Sequence, residues 1–245
     1  MTLRFRVEHV AEIGSTNDAV RQRAVLGEAE GLVVRADRQT AGRGRRGRHW
    51  DSASGNLFVS ILLRPTRPLA ESATLGFAVA VELGHVVRPL VRSPVGHKWP
   101  NDLLIGGKKV AGSLLEAAGR PDGNAEWVVL GIGVNISSHP DQALYPTTDL
   151  WAEGADRIAP VTLLDAFLGR FGKAYARWQM QGFAACREAW LEHAAGLGGP
   201  ITARLEHEAI EGRFVDLDSN GALVMELADG SVRRIAAGDV FFPQA

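Results

Sequence analysis

The chain has 245 residues, 27 Lys and Arg against 28 Asp and Glu, a net charge of −1, 46% hydrophobic residues and one cysteine. That length fits one large domain, or one with a small companion, with enough apolar residues for a full core. The lone Cys186 excludes an internal disulfide and a cysteine-cluster metal site.

The start, Met1-Thr-Leu-Arg-Phe-Arg, has no long apolar run after its charges and does not read as a signal peptide. No stretch of 18 or more apolar residues stands out, so a cytoplasmic protein with no membrane partner is expected. Residues 3–10 read as a strand. In Ile13-Gly-Ser-Thr-Asn-Asp18, Ser15 or Thr16 can cap a helix running to about Gly27. The same polar triplet is a candidate binding element, and cap chemistry alone does not decide between the two. Leu32–Ala36 reads as a buried strand leading into Asp37-Arg-Gln39.

Next comes Thr40-Ala-Gly-Arg-Gly-Arg-Arg-Gly-Arg-His-Trp50, with Arg43, Arg45, Arg46 and Arg48 spaced by Gly42, Gly44 and Gly47 and no carboxylate. Its glycines keep the backbone free and its arginines bring forked donors, a combination suited to wrapping an anion. It is also what a solvated RNA-binding segment looks like. Charge balance separates the two. Without these four arginines, 23 basic residues face 28 acidic ones, or −5. A general nucleic-acid binder spreads basic charge over a face, so a small anionic ligand is the better match. With no ligand the arginines are expected to be unpaired and the loop mobile.

Asn56–Leu63 is a strand too apolar for an edge. Leu69–Leu90 reads as one helix, poorly charged and buried against a sheet. In His97-Lys-Trp-Pro-Asn-Asp-Leu-Leu-Ile-Gly-Gly-Lys-Lys-Val-Ala-Gly112, Gly106-Gly107 marks a hairpin. Lys108 and Lys109 then point to opposite faces, and periodicity leaves open which one points inward. Glu126–Asn135 is a strand with Gly131 and Gly133 on one face, equally suited to a ligand slot or to tight packing. Residues 137–160 are loop-like. Thr162 with Asp165 can cap a helix whose Leu163, Phe167, Phe171, Tyr175 and Trp178 recur at helical spacing. A further helix covers about 183–194, with Cys186 inert in its core-facing side. Strands follow at 201–205, 211–217, 222–227 and 231–235 with close turns, as in a small barrel.

Ser15-Thr-Asn17, Gln39 through Arg48 with Trp50, Lys98-Trp-Pro-Asn-Asp102, Lys109-Val-Ala-Gly112 and Gly131-Ile-Gly-Val-Asn135, in this order, resemble the biotin protein ligases. The resemblance covers a catalytic domain, 1–196, and a C-terminal domain, 197–245. It implies an α+β fold: a mixed β-sheet flanked by helices, then a small SH3-like β-barrel. It also implies ATP-dependent formation of biotinyl-5′-AMP and transfer of biotin to a lysine of the biotin carboxyl carrier domain of a biotin-dependent carboxylase. ATP and biotin are then substrates, with Mg2+.

The same resemblance implies that Ser15, Thr16, Asn17, Gln39, Gly42, Arg43, Gly44, Arg45, Lys109, Gly112, Gly131 and Gly133 hold biotin. Arg45, Arg46, Arg48, Trp50, Lys98, Asn101 and Asn135 hold the nucleotide. Lys109, Arg43, Arg45 and Arg46 assist catalysis. Ligands for the metal are not implied. Ser113 stands where a branched apolar residue is expected. The first strand leaves no room for a helix-turn-helix, so no DNA partner and no repressor function are expected. The expected state is a monomer or weak homodimer. The alternative on the same fold is a lipoate-protein ligase, which would not carry the full arginine loop.

Overall fold

The computed structural model describes residues 3–141, 143, 145–155 and 157–243. The outer ends of the two expected domain ranges, residues 1–2 and 244–245, therefore lie outside the described residues.

A seven-stranded mixed sheet has the order β1-β2-β3-β7-β6-β5-β4. Strand β1 (Arg6–Ile13) leads through helix α1 (Thr16–Val25) to β2 (Leu32–Gln39), which pairs parallel to β1. Every other pairing in the sheet is antiparallel: β3 (Leu57–Leu63), β4 (Val95–Lys98), β5 (Asp102–Ile105), β6 (Lys108–Gly119) and β7 (Ala125–Val134). All of β3 is buried, as its unbroken apolar run requires.

The two faces are covered differently. Helix α1 packs Val20 and Ala24 against Leu32, Val34, Leu62 and Val129. The other face carries α2 (Leu75–Val87) and α3 (Pro160–Gln181) over Leu57, Val59, Ile61 and Leu130. Each large apolar side chain buried this way contributes ~1.5–3 kcal/mol. Because α1 is short, it leaves the far end of its face open, and that opening becomes the cleft.

Two helix expectations change. Leu69–Leu90 is long and apolar enough by composition to cross a membrane, yet it is three pieces. A 3₁₀ turn at Leu69–Thr74 and another at Arg88–Leu90 flank α2, whose residues are nearly all buried. No side chain caps either junction; Pro68 precedes the first turn and Pro89 sits inside the last. Helix α3 starts at Pro160 without a side-chain cap, so Thr162 and Asp165 sit inside it. Proline at the first helical position, with φ already helical, outcompetes the Thr-Asp box two residues on.

Helix α4 (Ala184–Leu191) leads to the second sheet: β8 (Pro200–Arg204), β9 (Ala209–Leu217), β10 (Leu223–Glu226), β11 (Val232–Ile235) and β12 (Asp239–Phe241). It is antiparallel, ordered β11-β10-β9-β8-β12, and consistent with a small SH3-like barrel. Its inner side chains Ile201, Phe214, Leu223 and Met225 share one core with Phe77, Val81, Trp99 and Trp190. The Trp99 indole N–H donates to Gly221 O at 3.0 Å. The two sheets are thereby locked around Trp99, one residue after Lys98. Cys186 is buried in this shared core, and burial pushes its thiol up to about 12, which makes it inert.

Candidate active site

A cleft of about 500 Å³ opens between the α1 face of the large sheet, the arginine loop and the β12 end of the small sheet. It gathers Ser15, Thr16, Asn17, Gln39, Arg43, Gly44, Arg45, Arg48, Trp50, Lys98, Asn101, Lys109, Gly112, Gly131, Gly133 and Asn135. Two expected residues do not line it. Gly42 lies behind the wall, where a side chain would collide with the Ser52 hydroxyl and the Trp50 carbonyl. The Arg46 side chain is 41% exposed and turns to Asp239.

One end of the cleft is neutral and closely hydrogen-bonded. Ser15 is the N-cap of α1, and this alignment presents Thr16 and Asn17 to the cleft from the first turn. Capping and site-building are thus done by one tripeptide. Thr16 N donates to Gln39 Oε1 at 2.8 Å, and Gln39 Nε2 reaches Ser52 Oγ at 3.2 Å. Ser60, invisible as a site residue within its apolar strand, places Oγ 2.7 Å from Thr16 Oγ1 and 2.6 Å from Asn17 Oδ1. Gly131 and Gly133 provide slots, and protein groups fill them. A methyl at Gly131 would sit 2.2 Å from Asn17 Oδ1, and one at Gly133 2.5 Å from the Trp50 ring. The tight-packing reading of these glycines holds, and what packs on them are the cleft residues Asn17 and Trp50.

The other end is cationic. The hairpin turns at Gly106 and Gly107, both at positive φ, and a bulge at Leu103/Leu104 sets the register. Lys109 therefore points into the cleft, 2.6 Å from Asp102 and 5.2 Å from the Trp50 ring, while Lys108 is exposed beside Glu153. Asn101 donates Nδ2 to Ser113 O at 2.5 Å, and Asn135 donates to Thr148 O. Lys98 is buried, with Nζ 3.3 Å from the Tyr145 ring centroid and under 6 Å from Phe241 and Phe242. Burial pulls its ammonium down to about 8.

The loop arginines pair with carboxylates from elsewhere in the chain, where unpaired arginines were expected. Arg43 makes a two-pronged pair with Asp18 at 2.6 and 2.8 Å and lies 3.7 Å from Glu116. Arg48 donates to Asp239 at 2.9 Å, Arg46 reaches it at 3.4 Å, and Arg45 is 3.9 Å away. Backbone bonds Gly44 N to Arg48 O and Trp50 N to Gly42 O close the loop. Arg46 sits at φ 57°, a left-handed conformation costing ~1–2 kcal/mol, which its place in this cluster offsets. Arg45 differs from the rest. It turns inward to the Asn101 and Gly238 oxygens at 3.4 and 3.3 Å, and burial draws its guanidinium below the usual range.

Sequence reasoning did not find Ser60, Asp18, Glu116, Tyr145 or Asp239. Asp102 stood inside a quoted motif without a role. Tyr145 and Asp239 lie far from the recognisable motifs, and no local period marks them.

This joining of a short-helix face, a glycine–arginine loop and a lysine hairpin is that of a ligase fold. Residues 11–135 match the Biotin/lipoate A/B protein ligase family, and the chain belongs to that family. Residues 196–242 match the Biotin protein ligase C terminal domain, so within the family its likeness is to the biotin ligases. The chain is 38% identical to a biotin--[acetyl-CoA-carboxylase] ligase of Paracoccus denitrificans, across 95% of this chain and 99% of that protein. It is 31% identical to the bifunctional ligase/repressor BirA of Bacillus subtilis, across 93% of this chain and 71% of that one. The biotin protein ligase of Aquifex aeolicus in complex with biotin and ATP shares the fold. Its TM-score is 0.82 at 24% identity, over 98% of this chain and 99% of the other.

Proposed function

We propose that the protein is a biotin protein ligase. It joins biotin to ATP as biotinyl-5′-AMP, releasing pyrophosphate, and passes the biotinyl group to a lysine of a biotin carboxyl carrier domain. The observation that carries this reading is the polarity of the cleft. One end offers the neutral hydrogen-bonding groups of Thr16, Asn17 and Gln39, and the other offers Arg45, Lys98 and Lys109 to two anions.

The first step brings a carboxylate against an α-phosphate, and fixed positive charge offsets their repulsion. Lys109 stands where it can bridge both, exchanging its bond to Asp102 for bonds to the reacting oxygens. Arg45 takes one of these anions, being the loop arginine farthest from a carboxylate. Lys98 and Arg48 face the triphosphate. Trp50, pressed on Gly133 and beneath Lys109, forms the wall between the two substrates. Among the described residues, no group of three or more His, Cys, Asp or Glu could hold a metal. The cleft carboxylates Asp102 and Asp239 are engaged by cations. This donor set does not suit a resident ion, so Mg2+ enters with ATP, held by its phosphates and water. In the second step the acceptor lysine attacks the acyl carbon, its nitrogen forms the amide, and AMP leaves with the bonding pair of the anhydride oxygen. A loop tied at both ends keeps water from the anhydride meanwhile.

The test is biotin-dependent exchange of labelled pyrophosphate into ATP. Exchange with biotin and not lipoate is the expected outcome. Exchange with lipoate alone would move the protein to the other branch of the family.

A further inference from the structure

Resting on the proposed biotin reading, we infer that Glu116 is a positioning residue that keeps the neutral end of the cleft one proton short, so that it accepts only a ligand bringing its own N–H donor. The argument is a count of hydrogens. Three oxygen–oxygen contacts link the lining residues Gln39, Thr16 and Asn17 through Ser60, which is buried behind them: Gln39 Oε1 to Thr16 Oγ1 at 3.0 Å, Thr16 Oγ1 to Ser60 Oγ at 2.7 Å, and Ser60 Oγ to Asn17 Oδ1 at 2.6 Å. Each needs a hydrogen between its oxygens. The two hydroxyls supply two.

Both ends of this chain are locked as acceptors. Gln39 must present its oxygen, because Thr16 N donates to it at 2.8 Å while its nitrogen donates to Ser52. Asn17 must present its oxygen for a different reason. Its nitrogen donates to Glu116 Oε2 at 3.0 Å, and an ionised carboxylate can only accept. Were Glu116 absent, the Asn17 carboxamide could turn over and give Ser60 the missing hydrogen, leaving these contacts satisfied among themselves. Thr16, Asn17 and Ser60 are all buried, so an unmet contact there is costly and a donor that meets it is strongly favoured. Arg43, 3.7 Å from Glu116 and paired to Asp18, holds the carboxylate in place.

A cyclic urea carries such N–H donors and no charge. A dithiolane ring carries none. The neutral end therefore discriminates between two ligands whose acid ends the cationic half of the cleft would treat alike.

The test uses calorimetric titration of the full chain with biotin and with its two cyclic-carbamate analogues, each having one ureido N–H replaced by ring oxygen. Wild type should reject one analogue by on the order of 10²-fold, as a site built around a donor rejects its isostere. In Glu116→Leu that rejection should shrink to ~10-fold or less, with Glu116→Gln between. The KM for biotin in pyrophosphate exchange should rise while kcat and the KM for ATP hold. In an Asn17→Ala background the Glu116 substitution should change nothing further, since the group it orients is gone. Unchanged discrimination in both Glu116 variants, or an equal effect of Glu116→Leu with and without Asn17, would overturn the inference while biotin binding by wild type stands. Failure of wild type to bind biotin would overturn the functional reading, and this one with it.

Discussion

The two ends of the cleft are built by opposite strategies. At the neutral end, Thr16, Asn17, Gln39 and Ser60 bond to one another over short distances from α1, β2 and β3. At the cationic end, Lys109, Arg45, Arg46 and Arg48 are balanced by Asp102 and Asp239, which come from β5 and from the other sheet. A neutral ring is recognised by directional bonds, which need rigid walls. Two anions that must react are recognised by charge, which acts over longer range and tolerates motion. The rigid end therefore belongs to the large sheet and its covering helix, and the adjustable end spans both sheets.

Breaking the cationic end should show this difference most strongly at Lys109. Lys109→Ala removes the one ammonium that faces Asp102 and Trp50 together, and adenylation should fall ~10²-fold or more, as loss of a charge-stabilising donor does. Lys108→Ala, exposed beside Glu153, should stay within about twofold of wild type by the surface ion-pair scale. Rates from pyrophosphate exchange give both values, and the reverse ranking would mean that the other face of β6 carries the chemistry.

A smaller effect is expected from Asp239→Asn, which removes the carboxylate shared by Arg45, Arg46 and Arg48 and leaves the neutral end untouched. The loop should open more often. Limited trypsin digestion at Arg45, Arg46 and Arg48 should speed up ~10-fold in free enzyme, the factor that loss of about 1.4 kcal/mol of loop closure implies. The KM for ATP should rise more than the KM for biotin. Equal digestion rates in variant and wild type would show that the small sheet does not hold the loop.

How far each end was legible in the sequence follows from how far apart its parts lie. The Ser15-Thr-Asn17 cap, the Gly106-Gly107 hairpin and the buried run Leu57–Leu63 are local, so propensity and period place them within a residue or two. The inward lysine was open because alternation says only that Lys108 and Lys109 differ; the bulge at Leu103/Leu104 decides it, and a bulge has no signature there. The loop arginines were expected to lack partners because the stretch Thr40–Trp50 contains no carboxylate. Their partners stand 25 residues away at Asp18 and 191 away at Asp239, contacts that only the assembled sheets create. Ser60 hid for another reason: in a strand buried on both faces, a serine reads as a small filler.

The subtlest expected effect lies in pH, at Lys98. Its ammonium is buried against Tyr145, and burial brings it from 10.5 to about 8. The sign follows from proton counts. Below about pH 8 the folded chain carries this charge out of water, at a cost on the order of 1–3 kcal/mol. Between about pH 8 and 10.5 the unfolded chain binds a proton that the folded chain does not, so this residue makes stability rise with pH across that window. Lys98→Met should therefore be more stable than wild type at pH 7, with the gap closing as pH climbs through the window. Nucleotide affinity should run the other way. A triphosphate is attracted by the ammonium and not by the amine, so the KM for ATP in wild type should climb as pH passes about 8, starting ~10-fold below that of Lys98→Met at pH 7, the scale of one charge-assisted bond. The variant, with nothing to titrate there, should give a flatter profile. Parallel KM profiles between pH 7 and 9.5 would place the titrating group elsewhere. Crossing trends, stability falling where affinity rises, would mark Lys98 as a charge kept in the fold for its ligand.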